Sequence, residues 1–286
     1  MNTKSVTIAL AAITFVAGRV ATGQSLHLIA FASTETNFQF QLQGPSDAAG
    51  TVEASEDLIH WTTLTSFTVP SSGDAVTLSD PETAGVTNRF YRASAGTNRS
   101  DNAVGFVRFS IRAGFNLMAN PLDDKRGNRI DTLFPQPPWG TTIYVFEPGL
   151  KGGIFRFDPD DIVWTPGGYW PLPPGRGFVL LNPKATFAYT FIGEVVHGTS
   201  TNSLRQGFSL SSSIVPERGL IIMDLGLPTV VGMTIYKLGP GGYNIYRMDP
   251  DDQVWMPEEP TLDIGESAFI LSTTSTNWVR GFSVWP

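Results

Sequence analysis

The sequence predicts an all-β protein: a small N-terminal β-sandwich, then two tandem barrel-like or sandwich-like repeats, with little helix beyond a leader segment. Three observations carry that prediction. Short runs alternate apolar and polar residues, as in NFQFQLQ at 37–43, the period of a half-buried strand. Turn formers are abundant, with Gly 29 and Pro 21 among 286 residues, and no stretch after the leader carries a 3.6-residue amphipathic pattern. The latter part of the chain matches itself. Gly114-Phe115-x-Leu117 returns as Gly207-Phe208-x-Leu210, Thr142-Ile143-Tyr144 as Thr234-Ile235-Tyr236, and IFRFDPDDIVW at 154–164 as IYRMDPDDQVW at 245–255.

In chain order, residues 1–23 read as a secretory signal peptide. Lys4 supplies a short positive region, 5–17 an apolar run, and Ala21-Thr22-Gly23 the small residues of a cleavage site. The run is too short to cross a bilayer as a helix, which takes about 20 residues. The expectation is an exported protein: extracellular, on the cell surface or periplasmic. With Cys 0, its stability rests on burial and backbone pairing and not on disulfides. A net charge of −7 with no Lys/Arg cluster argues against nucleic acid or an anionic membrane as partner.

Residues 24–95 carry TVEAS, WTTLTSFTV, DAVTLS and RFYRAS between turn-rich segments, the spacing of a small antiparallel sandwich. Two motifs here, Ser55-Glu56-Asp57-Leu58-Ile59-His60-Trp61 and Arg89-Phe90-Tyr91-Arg92, resemble an immunoglobulin/fibronectin-like β-module of exported proteins from environmental bacteria. The resemblance covers about residues 30–94, implies an accessory or spacer unit and says nothing of chemistry. The small, polar residues 96–102 are expected to be a linker.

Residues 103–195 and 196–286 are the two expected repeat copies. Each is strand-rich, with one helical turn expected at RIDTLFP before its proline. Phe178 and Leu180 align with Phe269 and Leu271 at an offset of 91, as the DPDD tetrads do. Two copies are too few for an open solenoid, so two compact units side by side are expected. The order of motifs resembles duplicated β-modules of the same exported bacterial proteins, and that resemblance implies no activity.

The tetrads are the first candidate sites. Asp158, Asp160 and Asp161, with Asp249, Asp251 and Asp252, are weak calcium candidates: D-x-D opens like a calcium loop, but no glycine follows at the sharp turn. Turn chemistry explains the residues better, since Asp-Pro-Asp suits positions i to i+2 of a type I turn. A glycosidase pair needs two carboxylates flanking a cleft, one of them buried enough to hold a proton, which adjacent aspartates on a solvated turn do not provide. Trp139, Trp170 and Trp278, set beside Pro or polar residues, are weak carbohydrate candidates if exposed, whereas Trp164 and Trp255 recur as expected core anchors. No catalytic motif and no cofactor is expected, calcium aside. The expected function is a non-enzymatic structural or adhesion protein whose partners are a polysaccharide or other surface proteins. A carbohydrate-binding protein is the rival, and a hydrolase built on the acidic turns a remote third.

Overall fold

In the computed structural model the described residues are 25–146 and 152–286; the expected signal peptide lies outside them. The protein is all-β, as expected: it is built of antiparallel sheets, and among the described residues none closes into a barrel. The fold as a whole is sandwich-like.

The N-terminal part comprises β1 (His27–Ser33), β2 (Phe38–Gln43), β3 (Ala49–Ser55), β4 (Thr62–Thr68), β5 (Val76–Asp80), β6 (Asn88–Ala95) and β7 (Asn98–Arg99). Strands β1-β2-β5 form one sheet and β6-β3-β4 the core of the opposing one. The alternation in FQFQLQ sends Phe38, Phe40 and Leu42 inward and leaves the glutamines half-buried. Phe38 and Phe40 stack on Tyr91, each at 5.0 Å between centroids. The Tyr91 hydroxyl donates to Asp80 Oδ2 at 2.8 Å, and Arg89 Nε lies 3.3 Å from the same fully buried carboxylate. Burial, then the charge of Asp80, pushes the Tyr91 phenol far above its ordinary value.

Both motifs of the sequence resemblance serve this scaffold. Ser55 Oγ accepts from the N–H groups of Asp57 and Leu58, and Asp57 Oδ1 accepts from those of Ile59 and His60. The Trp61 indole N–H then donates to Leu58 O at 3.1 Å, closing a turn in which Leu58 holds φ 65°. Arg92 lies between two indoles, 4.2 Å from Trp61 and 3.9 Å from Trp285, and donates to Glu53 and to the Val284 carbonyl. The end of the chain thereby docks on its beginning.

Burial raises the Asp57 carboxyl, but donors from the His60 ring, the His60 and Ile59 amides and the Ser55 hydroxyl outweigh it and hold the group well below 3.8. The sign follows: a depressed carboxylate stabilises the fold above its ordinary pKa, and that contribution is lost as pH falls below it. Because the Asp57 side chain is 44% exposed, Asp57→Ala is expected to cost only about 1 kcal/mol at neutral pH. It should also flatten the loss of thermal stability between about pH 5 and pH 2. An acid arm as steep as that of the unsubstituted protein would refute this account.

The next unit holds β8 (Val104–Ile111), β9 (Gly114–Ala119), the single turn α1 (Ile130–Leu133), β10 (Thr142–Val145), β11 (Gly153–Asp158), β12 (Val163–Thr165), β13 (Gly177–Asn182) and β14 (Phe187–Glu194). Strands β8 and β14 do not stay within their unit. They extend the N-terminal sheet into the order β14-β8-β6-β3-β4, so the expected boundary near residue 103 cuts through one sheet. The expected linker at 96–102 is likewise part of the fold. β7 pairs with β6, the Ser100 amide donates to Ala93 O, and the Asn102 side chain satisfies both backbone groups of Leu28. Ser100 and Asn102 look like linker residues because they are small and polar, yet both are buried as hydrogen-bonding partners.

The last unit holds β15 (Gly198–Leu204), β16 (Gly207–Ser211), β17 (Gly219–Leu220), β18 (Thr234–Gly239), β19 (Gly242–Met248), β20 (Trp255–Met256), β21 (Thr261–Leu262), β22 (Ala268–Ser272) and β23 (Thr276–Phe282). Its main sheet, β16-β22-β18-β19-β20, has the same strand order as β9-β13-β10-β11-β12 of the preceding unit, and β15 pairs with β23 as β8 pairs with β14. Pairing registers revise the alignment of the fourth strand. Val179 lies beside Leu117 and Tyr144, and Phe269 beside Leu210 and Tyr236. Phe269 therefore corresponds to Val179, and the fully buried Phe178 to Ala268, a slip of one residue from the alignment at 91. A one-residue slip exchanges the faces of a strand. Phe178 is accordingly core, while Phe269 is only partly buried on the opposite face.

Candidate functional site

Both tetrads are hairpin turns. Asp158 Oδ1 accepts from the Asp160 amide at 3.0 Å; Asp249 Oδ1 accepts from Asp251 at 2.8 Å and Asp252 at 3.2 Å. Those two backbone donors hold the Asp249 carboxyl below its usual range. Ile162 and Gln253 close the turns at φ 54° and 56°, and the peptide bonds before Pro166 and Pro257 are cis. All six aspartates are exposed or partly exposed, and among the described residues no three acidic or histidine side chains converge as a metal cage.

The three tryptophans separate. Trp278 is 1% exposed in the core of the last unit, with Nε1 donating to Leu225 O at 2.7 Å; it is no surface platform, contrary to expectation. Its counterpart across the matched strands is Tyr189, whose hydroxyl donates to Leu133 O. The indole occupies a region where the preceding unit places Phe134, Phe178 and Tyr189 around one another. Trp170 is half-buried against Phe155, at 5.6 Å. Trp139 alone is exposed, and Lys184 Nζ lies 4.4 Å above its ring.

A different set of aromatics comes together. The face of each five-stranded sheet turned away from its core carries matched rows. Ile154, Tyr144, Val179 and Leu117 run across one sheet; Ile245, Tyr236, Phe269 and Leu210 run across the other. The next rows are Arg156, Thr142, Leu181 and Phe115, against Arg247, Thr234, Leu271 and Phe208. The two faces meet at a small apolar cluster of Leu117, Val179 and Leu210, packed by Tyr144, Leu238 and Phe269. Their ends exchange backbone bonds reciprocally: Ala119 N–H donates to Gly265 O at 2.8 Å, and Ser212 N–H to Gly175 O at 3.0 Å. This is the self-complementary contact of a two-fold dimer, built within one chain.

Beside that junction opens a groove of about 720 Å³, within the range of ligand sites. One wall is the β8–β9 turn and the start of β9, with Arg112 and Phe115; the other brings Arg218, Leu238, Asp263 and Glu266 from the last unit. Asn116 fixes the turn. Its Oδ1 accepts from the Arg112 amide, and its Nδ2 donates to the carbonyls of Arg112 and Gly114. Gly114 holds φ 88°, where a side chain is strained. The turn so held presents Phe115, 58% exposed, 6.2 Å from Tyr144. Glu266 pairs with Lys237 at 3.2 Å and accepts from the Asp263 amide at 3.0 Å. Arg108 spends its guanidinium on the backbone of Thr34, Thr83 and Val86, and burial pulls it below its ordinary pKa. The side chains of Arg112 and Arg218 are exposed and make no ion pair or hydrogen bond within the described residues.

The groove residues were absent from the sequence candidates. The matching Gly-Phe-x-Leu pairs are visible in the sequence, but nothing in it sets β9 against the last unit. No protein-family model matches the chain, and a comparison with curated proteins likewise finds no match.

Proposed function

We propose that the protein is an exported, non-enzymatic adhesion or interaction protein that holds an extended ligand in the groove between its last two units. The observation that carries this is the exposed Phe115 ring at the groove wall, presented by a turn that Asn116 pins, in a groove also lined by two arginines whose side chains have no ion-pair or hydrogen-bond partner among the described residues. A rigid aromatic with fixed polar neighbours is the composition of a recognition surface. The groove's Glu266 is committed to Lys237, and the acidic tetrads are turns, so neither offers the opposed carboxylates of a hydrolase. Export rests on the leader pattern at residues 1–23.

Binding to a polysaccharide is the form of adhesion this surface favours, because an aromatic face stacks on a sugar ring. The site is the groove and not the three tryptophans. Phe115→Ala is expected to weaken retention on a bound polymer about tenfold while leaving the melting temperature nearly unchanged. Affinity electrophoresis against a panel of soluble polysaccharides, with calorimetry on any that retards the protein, reads this out. Equal affinity of the variant would remove the groove as the binding surface. Polymer hydrolysis abolished by neutralising Asp160 and Asp251 together would overturn the non-enzymatic reading.

A further inference from the structure

We infer that the groove selects an acidic polysaccharide, one carrying a carboxylate on its sugar rings, and that Arg112 and Arg218 read that charge; this rests on the groove being the binding surface. The chain as a whole is acidic, at net −7. The groove reverses that balance. Arg108, Arg112 and Arg218 line it against Asp263 and Glu266, and Glu266 already has Lys237 at 3.2 Å. Arg108 is held by backbone carbonyls, so its charge meets no carboxylate in direct contact. Arg112 and Arg218 come to the lining from different units, both exposed, and neither guanidinium has an ion-pair or hydrogen-bond partner among the described residues.

An unpartnered arginine on an open surface is ordinary by itself. Two of them lining one groove together with an exposed aromatic, in a chain of net negative charge, form a local attractor for a polymer with periodic negative charge. A guanidinium offers paired donors that match a carboxylate in plane, and the Phe115 ring offers a stacking face for the pyranose between successive carboxylates. Asp263, exposed and contributed to the lining by the same unit as Arg218, disfavours densely charged polyanions such as polyphosphate, which would bring like charge against it. A uronate chain carries one charge per ring and can place it away from that carboxylate.

The test uses the full chain with four soluble polymers: a polyuronate, a neutral glucan, a sulfated glycan and polyphosphate. The expected result is binding to the polyuronate, weakened about tenfold by each of Arg112→Gln and Arg218→Gln. Raising salt from about 0.05 M to about 0.5 M should weaken it further. Arg112→Lys, which keeps the charge and loses the fork, should recover part of the loss. Both side chains are exposed and make no hydrogen bond or ion pair among the described residues, so unchanged melting temperatures verify that the variants are folded.

Binding of the glucan and polyuronate alike, unaffected by the glutamine variants and lost in Phe115→Ala, overturns the charge inference and leaves the groove reading standing. Equal binding of polyphosphate or of the sulfated glycan overturns it too, since simple ion attraction then suffices. Retention of none of the four polymers overturns the acidic-polysaccharide inference; loss of the groove reading itself is read from Phe115→Ala on a bound ligand.

Discussion

Trp278→Ala is expected to lower the unfolding free energy by about 3–5 kcal/mol. The indole is 1% exposed and packs in the cluster with Leu204, Leu225 and Ile270. Removing it opens a cavity that the rigid strands β15 and β23 on one side and the 221–227 segment on the other cannot fill. It also strips the Leu225 carbonyl of the donor at 2.7 Å. The two costs separate in Trp278→Phe, which keeps most of the volume and loses only the N–H, so about 1–3 kcal/mol is expected there. Trp139→Ala is the control: at 56% exposure, a change within about 0.5 kcal/mol is expected. Urea unfolding followed by circular dichroism measures all three. A Trp278→Ala midpoint equal to that of the unsubstituted protein would return this residue to the surface and undo the core described for the last unit.

Trp278 also shows where the sequence stops being legible. Its neighbours, Asn277 and Val279, are polar or exposed, which is the ordinary look of one face of a strand, and Asn-Trp-Val does not say which face is buried. The answer comes from the pairing of β23 with β15, fixed by residues more than 70 positions away. All-β architecture was legible because alternation and turn chemistry are local: FQFQLQ needs no partner to reveal its period. The DPDD turns were legible for the same reason, since an aspartate capping amides two and three residues on involves only the chain at hand. Domain limits were less so. Nothing local distinguishes Ser100 and Asn102, both buried, from linker residues, and only the pairing of β6 with β8 shows that one sheet spans the expected boundary.

The groove was illegible for a further reason. Its walls come from two units that each have a main core cluster of their own, so most of each unit's pattern is explained without reference to the other. The signal that remained was an excess. Phe115, Tyr144, Phe208 and Tyr236 are large apolar residues on the strand face opposite Ile143 and Ile235, where a solvated sheet would carry polar side chains. A β-strand apolar on both faces has two neighbours, and here the second neighbour is the other sheet or the groove.

The contact between those sheets leads to the second large expectation, that Gly177→Ala costs about 1–3 kcal/mol and Gly177→Val more. A β-carbon at Gly177 would lie 2.6 Å from Leu210 Cγ and 2.7 Å from the Leu210 backbone carbonyl, so relief needs the backbone to move and not merely a side chain to turn. The matched position in the last unit is Ser267, which does carry a β-carbon and whose amide donates to Leu117 O at the mirrored contact. The junction is thus two-fold in the Ala119 and Ser212 hydrogen bonds and unequal in side chain, with no β-carbon on the Gly177 side and one on the Ser267 side. The Ser267 hydroxyl is buried without a hydrogen-bond partner, so Ser267→Ala should be neutral or slightly stabilising, by up to about 1 kcal/mol. A double-mutant cycle decides the cause. If the clash with Leu210 is what Gly177 avoids, Gly177→Ala combined with Leu210→Ala should cost less than the sum of the single changes, with a coupling of about 0.5–1 kcal/mol. The relief is only partial, because the Leu210 backbone remains. Strict additivity would mean that the two sheets are not pressed together at this point, and the groove beside them would lose the fixed wall on which the proposed ligand recognition depends.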